Sequence, residues 1–144
     1  MTAVAPGTAK KRILFLCYQN SARSQMAEGL ANFFYPHLLQ GFSAGLEATR
    51  VHPYAVRAMA EIGADISSHR SKTMEEYTGQ TFDYVVTLCD QAKQACPYFP
   101  GGRKYIHHSF ADPAACRGND QEIMDCFRST REAIRAWIEA TLLS

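Results

Sequence analysis

The 144-residue sequence has no long apolar run and almost no net charge. Because about 20 consecutive apolar residues are needed to span a bilayer, we expect no membrane-spanning helix. A formal net charge of +1 at pH 7 argues against nucleic acid or an anionic membrane as the main partner. The first ten residues also lack the apolar segment of a secretory signal. We expect 1–10 to be a flexible leader and 11–144 to be one cytoplasmic domain.

The five cysteines show neither zinc-site spacing nor the pattern of a disulfide framework. No Cys-x-x-Cys pair and no Cys/His cluster is present, so we expect no bound metal. In a cytoplasmic chain thiols stay reduced, and an odd cysteine count then favours reactive or incidental thiols. Cys126, next to Phe127 in a predicted helix, is expected to pack in the core. Cys116, in a polar loop, is expected to be an exposed thiol.

Strand and helix patterns alternate along the chain. Short apolar runs predict strands at 13–16, 38–43, 82–88 and 104–108, and helical periodicity predicts helices at 25–35, 53–62, 71–77 and 120–143. Strands separated by helices are typical of βαβ units and of a parallel sheet. The predicted fold class is therefore α/β: a single domain of three α/β/α layers with a central four-stranded parallel sheet.

The segment "LCYQNSARS" at 16–24 joins the first predicted strand to the first predicted helix. Cys17 then ends a strand, where open α/β sheets bind ligands, and precedes a helix N-terminus, whose N–H groups favour anions. The helix dipole favours the thiolate of such a cysteine, and Ser24 can donate to it. Arg23 adds a planar cation that suits two oxygens of a tetrahedral oxyanion. The predicted oxyanion-binding loop is Tyr18, Gln19, Asn20, Ser21, Ala22, Arg23 and Ser24.

Two residues far from this loop can join it. Cys89 ends the third predicted strand, and the carboxyl ends of parallel strands share one edge of the sheet. Asp112 precedes Pro113, which keeps its backbone extended and directs the carboxylate. Both motifs also have an explanation without a functional site. Asp-Pro is a common turn signal. A Cys-x5-Arg spacing also occurs by chance, and the cysteine would then be a small buried core residue.

These motifs resemble the low-molecular-weight tyrosine phosphatase superfamily, and within it the thioredoxin-coupled arsenate reductase branch. The resemblance extends from Ile13 to the last helix and includes "LCYQNSARSQMAEG" at 16–29, "FSAG" at 42–45, "HPYAVRAM" at 52–59, "DYVVTLC" at 83–89 and "FADPA" at 110–114. It implies that Cys17 is the nucleophile, that Arg23 binds the oxyanion and that Asp112 is the general acid.

The arsenate reductase branch also draws electrons from a series of thiols. The resemblance implies that Cys89 and Cys96 complete this relay and form a redox-active disulfide, which thioredoxin reduces without any bound cofactor. If 90–95 were part of one continuous helix, the two residues would lie about 10 Å apart along its axis. A disulfide tolerates roughly 7 Å between Cα atoms. We therefore predict that this segment is partly helical when reduced and unwinds when oxidised.

Three classes of function are compatible with these residues. An arsenate reductase would take arsenate as substrate and thioredoxin, glutaredoxin or a small thiol as reductant. A phosphatase would hydrolyse phosphate monoesters through a Cys17 phosphoenzyme without using Cys89 or Cys96. Ala114 and Ala115, where the superfamily's phosphatases carry aromatic residues, favour a small oxyanion. A thiol-based sensor would carry a DNA-binding helix pair or a basic patch, and none is evident. We expect a monomeric arsenate reductase.

Lys72 departs from the family pattern. Some members carry an aspartate at this position, which helps to bind potassium beside the equivalents of Asn20, Glu28 and Ser43. An ammonium group there would repel a cation and could itself occupy the gap. We therefore predict that potassium has no effect on this protein.

Overall fold

A computed structural model describes residues 10–95 and 99–143. Residues 1–9 of the predicted leader and Cys96 of the predicted relay lie outside these ranges. The described strands are β1 (Lys11–Cys17), β2 (Leu39–Gly45), β3 (Phe82–Thr87) and β4 (Gly102–His107). The α-helices among the described residues are α1 (Arg23–Phe34), α2 (Pro53–Ala60), α3 (Asp90–Ala95) and α4 (Asp120–Thr141). Short 3-10 turns cover Met74–Tyr77 and Pro113–Ala115.

The four strands form one parallel sheet in the order β2-β1-β3-β4. The predicted α/β fold with a central four-stranded parallel sheet is thus confirmed. In the register of β1 and β3, Leu16 lies opposite Thr87, and the Leu88 amide donates to the Leu16 carbonyl at 2.8 Å. Cys17 follows Leu16, and Cys89 follows Leu88. The two cysteines therefore come to the same edge of the sheet.

The central strand β1 is buried because it has a strand on each side and helices against the sheet. Its residues 13–16 are at most 1% exposed, as the unbroken apolar run predicts. Met26 and Leu30 of α1 and Phe127 and Ile134 of α4 belong to the same core. Each such side chain contributes about 1.5–3 kcal/mol when it is fully buried. This core anchors the strand end that carries Cys17.

The last helix, α4, packs against both α1 and α2. It begins with a capping box: Asn119 Oδ1 accepts from the Glu122 amide at 2.9 Å, and Glu122 Oε1 accepts from the Asn119 amide at 3.1 Å. Both bonds satisfy N–H groups that a helix start leaves free. Farther along, Arg131 donates to the Ala58 carbonyl at 2.8 Å and to Glu61 at 2.9 Å, which joins α4 to the end of α2.

The predicted helix at 71–77 is shorter than expected. Lys72 and Thr73 are extended because they pair with the end of β2: the Gly45 amide donates to the Lys72 carbonyl at 2.9 Å, and Gly45 forms a parallel bridge with Thr73. Only Met74–Tyr77 remains as one 3-10 turn. A contact between distant segments overrides the local preference here.

The expectations for Cys116 and Cys126 are wrong. The two residues form a disulfide, with Cα atoms 6.6 Å apart, and both are half-buried. The chain reverses between them at Gly118, whose φ of 137° lies in the region that favours glycine. This turn brings Cys116 back to the second turn of α4. Cys17 and Cys89 are free thiols.

Among the described residues, no helix is both long and apolar enough to cross a membrane.

Candidate active site

Cys17 lies at the carboxyl end of β1, as predicted, with 2% of its surface exposed. Its sulfur is 2.8 Å from Ser24 Oγ in the first turn of α1. Asn20 Nδ2 already donates to the same Ser24 oxygen at 2.7 Å, so the hydroxyl proton is available to the sulfur. The structure therefore places Ser24 within hydrogen-bonding distance of the Cys17 sulfur, the contact that the sequence predicts.

Asn20 organises the loop between β1 and α1. Its φ of 51° is left-handed, a conformation that asparagine tolerates better than most residues. The fully buried side chain accepts from Gln25 Nε2 at 2.9 Å and from the Lys72 amide at 3.0 Å. Gly45 allows the close approach, because a Cβ there would lie 2.7 Å from the Asn20 nitrogen and from the Tyr18 carbonyl oxygen. These contacts hold the loop in place on its buried side.

Arg23 connects this loop to the segment that carries Asp112. One terminal nitrogen donates to the Phe110 carbonyl at 3.1 Å, and the other lies 3.7 Å from Asp112 Oδ2. The Arg23 side chain is 12% exposed and that of Asp112 is 46% exposed. Asp112 has an extended backbone before Pro113, as predicted, and its Oδ1 accepts from the Ala114 amide at 3.0 Å. The structure thus brings the predicted cation and the predicted acid together.

A cavity of about 190 Å³ opens over the loop. Such a volume is below the range of roughly 300–1,000 Å³ typical of sites for drug-sized ligands, and it suits a small oxyanion. The cavity is lined by Cys17, Tyr18, Gln19, Ser21, Ala22, Arg23, His52, Asp112 and Ala114. Of the predicted loop residues, Asn20 and Ser24 do not line the cavity: both are fully buried.

His52 is the cavity residue that the sequence analysis missed. Its Nδ1 accepts from the Tyr54 amide at 3.2 Å and so caps α2, while its ring packs 4.8 Å from that of Phe127. Burial lowers the pKa of His52, as does Arg50 to a lesser extent, and Asp112 opposes them. The ring is therefore neutral at pH 7, with its proton on Nε2. The available signal was its place before proline at a helix start, which is a capping position.

Cys89 follows β3 and is as buried as Cys17. Its sulfur accepts from the Ala92 amide at 3.4 Å. Burial raises the pKa of the Cys89 thiol, and the neighbouring Cys17 adds to this effect, while Arg23 and backbone N–H groups oppose it. Both thiols lie at the same edge of the sheet, but Cys89 is not among the residues that line the cavity. Cys96, the third predicted relay residue, lies outside the described residues.

Lys72 packs behind the loop with 9% of its surface exposed. Its Nζ lies 3.7 Å from Glu28 Oε1 and donates to the Arg70 carbonyl at 3.3 Å. Ser43 Oγ also donates to Glu28, at 2.5 Å. Burial lowers the pKa of Lys72, and Glu28 opposes the shift. Within residues 10–95 and 99–143, no group of three or more His, Cys, Asp or Glu side chains could hold a metal ion.

Comparison with known proteins identifies the family to which this chain belongs. The family described as low molecular weight phosphotyrosine protein phosphatase matches residues 12–142. The chain is 46% identical over 125 residues to an arsenate reductase of Halalkalibacterium halodurans, across 87% of this chain and 90% of the relative. The chain therefore belongs to the low molecular weight phosphotyrosine protein phosphatase family, and the resemblance seen in the sequence is confirmed.

Solved structures agree with this assignment. A structure described as an arsenate reductase in the phosphate binding state is similar at a TM-score of 0.79, with 32% identity over 92% of this chain and 97% of that chain. A thioredoxin-dependent arsenate reductase of Corynebacterium glutamicum is similar at a TM-score of 0.65, with 25% identity over 95% of this chain and 64% of that chain.

Proposed function

We propose that this protein reduces arsenate to arsenite by a thiol relay. The observation that carries the proposal is the pair of buried free thiols, Cys17 and Cys89, at one edge of the sheet. Hydrolysis of a phosphate ester needs a single nucleophilic thiol, because water completes the cycle. A second thiol in the same site supplies the electrons that a reduction requires. The name of the relative from H. halodurans supports the same activity.

In the first step the oxyanion binds to the N–H groups of the loop and to Arg23. The Cys17 thiolate, stabilised by Ser24, attacks arsenic; a sulfur–arsenic bond forms and an arsenic–oxygen bond breaks. Asp112 donates a proton to the departing oxygen, which leaves as water. The position of Asp112 beside Arg23 at 3.7 Å supports this role. Arsenic is still pentavalent at this stage.

In the second step the Cys89 thiolate attacks the Cys17 sulfur. The new sulfur–sulfur bond replaces the sulfur–arsenic bond, whose electron pair stays on arsenic and reduces it to arsenite. Cys96 then attacks Cys89, which frees Cys17 and moves the disulfide to Cys89 and Cys96. An external protein dithiol of the thioredoxin class reduces that disulfide.

The last exchange requires α3 to unwind. In the structure Cys89 is a free thiol and 90–95 is helical, which supports the reduced half of the predicted redox switch. The seven positions from Cys89 to Cys96 would span about 10 Å in a continuous helix, too far for a disulfide. Unwinding would also expose the new bond to its reductant.

The proposed enzyme also has an expected cofactor requirement, oligomeric state, cellular compartment and reductant. We assign no resident metal or cofactor, since thiol exchange carries both electrons. The enzyme acts as a monomer in the cytoplasm, where thioredoxin-class reductants are kept reduced. The thioredoxin-dependent relative of C. glutamicum supports thioredoxin over a small thiol.

The test is arsenite production from arsenate with thioredoxin, thioredoxin reductase and NADPH. The wild type should turn over continuously. Cys96→Ser should stop after about one equivalent, trapped as a Cys17–Cys89 disulfide. Cys126→Ser is the matched control: it also replaces one cysteine, but that cysteine is bonded to Cys116 and lies outside the relay, so turnover should pass one equivalent.

A phosphatase is the second candidate, because the family description and the arrangement of Cys17, Arg23 and Asp112 suit phosphate esters. It predicts hydrolysis of an aryl phosphate that survives Cys89→Ser unchanged. If no variant makes arsenite and wild type and Cys89→Ser hydrolyse the ester equally, the relay is refuted.

A further inference from the structure

The Cys116–Cys126 disulfide lies next to the residue assigned as the general acid. Asp112 begins the 3-10 turn Pro113–Ala115, and Cys116 ends it by donating its amide to the Pro113 carbonyl at 3.2 Å. The disulfide then connects this turn to Cys126 in α4. Only three residues separate the acid from the covalent bond.

The other end of the same segment also rests on α4. The Phe110 ring packs edge-on against Trp137, with ring centroids 6.2 Å apart, and the Phe110 carbonyl accepts from Arg23. Trp137 and Cys126 are eleven positions apart, or about 16 Å along the helix. We call residues 110–116 the acid loop. It is attached to α4 at both ends, with Asp112 between the attachments.

The two attachments differ in strength. Phe110 is 7% exposed and is held by ring packing and a hydrogen bond. At the other end Ala114 and Ala115 are exposed, and Pro113 is the one buried residue of the 3-10 turn. Without the disulfide, that end would depend on one proline and on turn hydrogen bonds open to solvent. Segments held by few buried contacts open locally at little cost in free energy.

We propose that Cys116 and Cys126 form a second redox centre, separate from the relay, whose disulfide holds the acid loop in place and whose reduction loosens it. The consequence for catalysis rests on the proposed function, since it requires Asp112 to act as the acid. Both residues are half-buried, whereas Cys17 and Cys89 are 2% exposed, so reagents reach this pair more easily.

The chemistry is a two-electron exchange. In oxidation, the two thiols lose two electrons and two protons to a disulfide such as oxidised glutathione, which becomes two molecules of reduced glutathione. A dithiol, whether dithiothreitol or a protein of the thioredoxin class, reverses the reaction by the same exchange. In a compartment that keeps thiols reduced, the bond would form under oxidising conditions only. Oxidation would then fix the acid loop in its active position.

The test uses the full chain with Cys89→Ser and Cys96→Ser, so that no relay disulfide can form. Alkylation and mass spectrometry count the thiols after treatment with oxidised glutathione or dithiothreitol. NMR then measures the solvent exchange of the amides of Ala114, Ala115 and Cys116. We expect reduction to raise these rates about fivefold or more, while the amide of Ile134 in α4 does not change. Fluorescence of Trp137, the one tryptophan of the sequence, gives a second readout.

The matched control adds Cys116→Ser and Cys126→Ser to the same background. Its acid loop should exchange at the fast rate whether or not dithiothreitol is present. Equal exchange in both redox states of the first variant would overturn the proposal, as would the failure of oxidised glutathione to form the bond. These readouts need no arsenate. If exchange responds to reduction but the wild type makes no arsenite, the second redox centre stands and the proposed function fails.

The catalytic consequence has its own readout in the otherwise natural chain. In a single turnover without external reductant, Cys116→Ser/Cys126→Ser should form arsenite about tenfold more slowly than the wild type with its Cys116–Cys126 disulfide intact, because misplacement of an acid by an ångström or less is costly to catalysis. The thioredoxin-coupled assay is avoided here because it would reduce this disulfide in the wild type as well. The affinity for arsenate should change little, since Arg23 and the loop amides remain. Equal single-turnover rates would overturn the link between the disulfide and Asp112.

Discussion

The molecule contains two neighbouring pairs of cysteines, and they differ in almost every physical respect. Cys17 and Cys89 lie at the edge of the central sheet, 2% exposed, and are free thiols. Cys116 and Cys126 lie between a polar loop and α4, half-buried, and are joined. The two pairs therefore differ in burial, in bonding and in the backbone that carries them.

The backbone around each pair explains the contrast. Cys17 ends β1 and Cys89 comes soon after β3, two strands whose register is set by hydrogen bonds in the core. Cys116 reaches Cys126 through the turn at Gly118, and ten positions separate the two cysteines. The first pair suits thiols that must exchange partners during a reaction. The second suits a bond that holds a surface segment.

The largest expected effect concerns the ionisation of Cys89. Burial raises the pKa of Cys89, so only a small fraction is thiolate near neutral pH. The rate at which the Cys17–Cys89 disulfide forms should therefore rise about tenfold per pH unit, or about 100-fold from pH 6 to 8. Single-turnover release of arsenite by Cys96→Ser measures this rate. A plateau below pH 8 would mean that the thiol ionises more easily than its burial implies.

A smaller effect concerns the stability that the second pair supplies. Closing a loop of about ten residues should stabilise the fold by about 2–3 kcal/mol, through the lower entropy of the unfolded chain. Dithiothreitol should therefore lower the free energy of unfolding of the wild type in urea by that amount. Cys116→Ser/Cys126→Ser should be insensitive to dithiothreitol. Cys89→Ser should respond like the wild type, because Cys89 carries no bond in the structure; a lost response in that variant would contradict the comparison.

The last prediction is that potassium has no effect on stability. It concerns Lys72, whose ammonium group lies behind the loop that follows Cys17. Lys72 Nζ lies 3.7 Å from Glu28 Oε1, so we expect its ammonium group to neutralise the carboxylate that a bound cation would otherwise neutralise. The melting temperature should be the same in potassium and sodium chloride. Lys72→Asp should become sensitive to potassium, because it leaves two carboxylates together that a cation can neutralise. A potassium-specific shift in the wild type would show that Lys72 does not fill the gap.

Local patterns were sufficient to predict much of the site. Residues 13–16 are apolar without interruption and have to be buried, so a polar loop after them has to begin at the end of a strand. The strand before Cys17 and the helix that begins at Arg23 indicated an oxyanion loop, whereas the role of Asp112 was implied by the family resemblance, because Asp-Pro alone is a common turn signal. The position of Cys89 at the same edge follows from parallel strands alone.

Other features depend on contacts between distant segments. The predicted helix at 71–77 is shorter because Gly45 of β2 donates its amide to the Lys72 carbonyl and pairs with Thr73 in a parallel bridge. His52 reached the cavity because capping α2 fixes its ring beside Phe127. Pro53 indicates the capping position of His52, but the residues that flank His52, Lys72 and Thr73 do not show the contacts with Phe127 and β2.

Hydrophobic periodicity and turn residues act locally. They were enough to predict the parallel sheet, the succession of strands and helices along the chain and the position of Cys17 at a strand end. Tertiary packing was needed to show that Cys116 and Cys126 are joined, that Asp112 lies beside Arg23 and that Lys72 packs on Glu28. Those contacts depend on how helices and loops pack on the sheet. Packing is a property of the whole core, and no short segment encodes it.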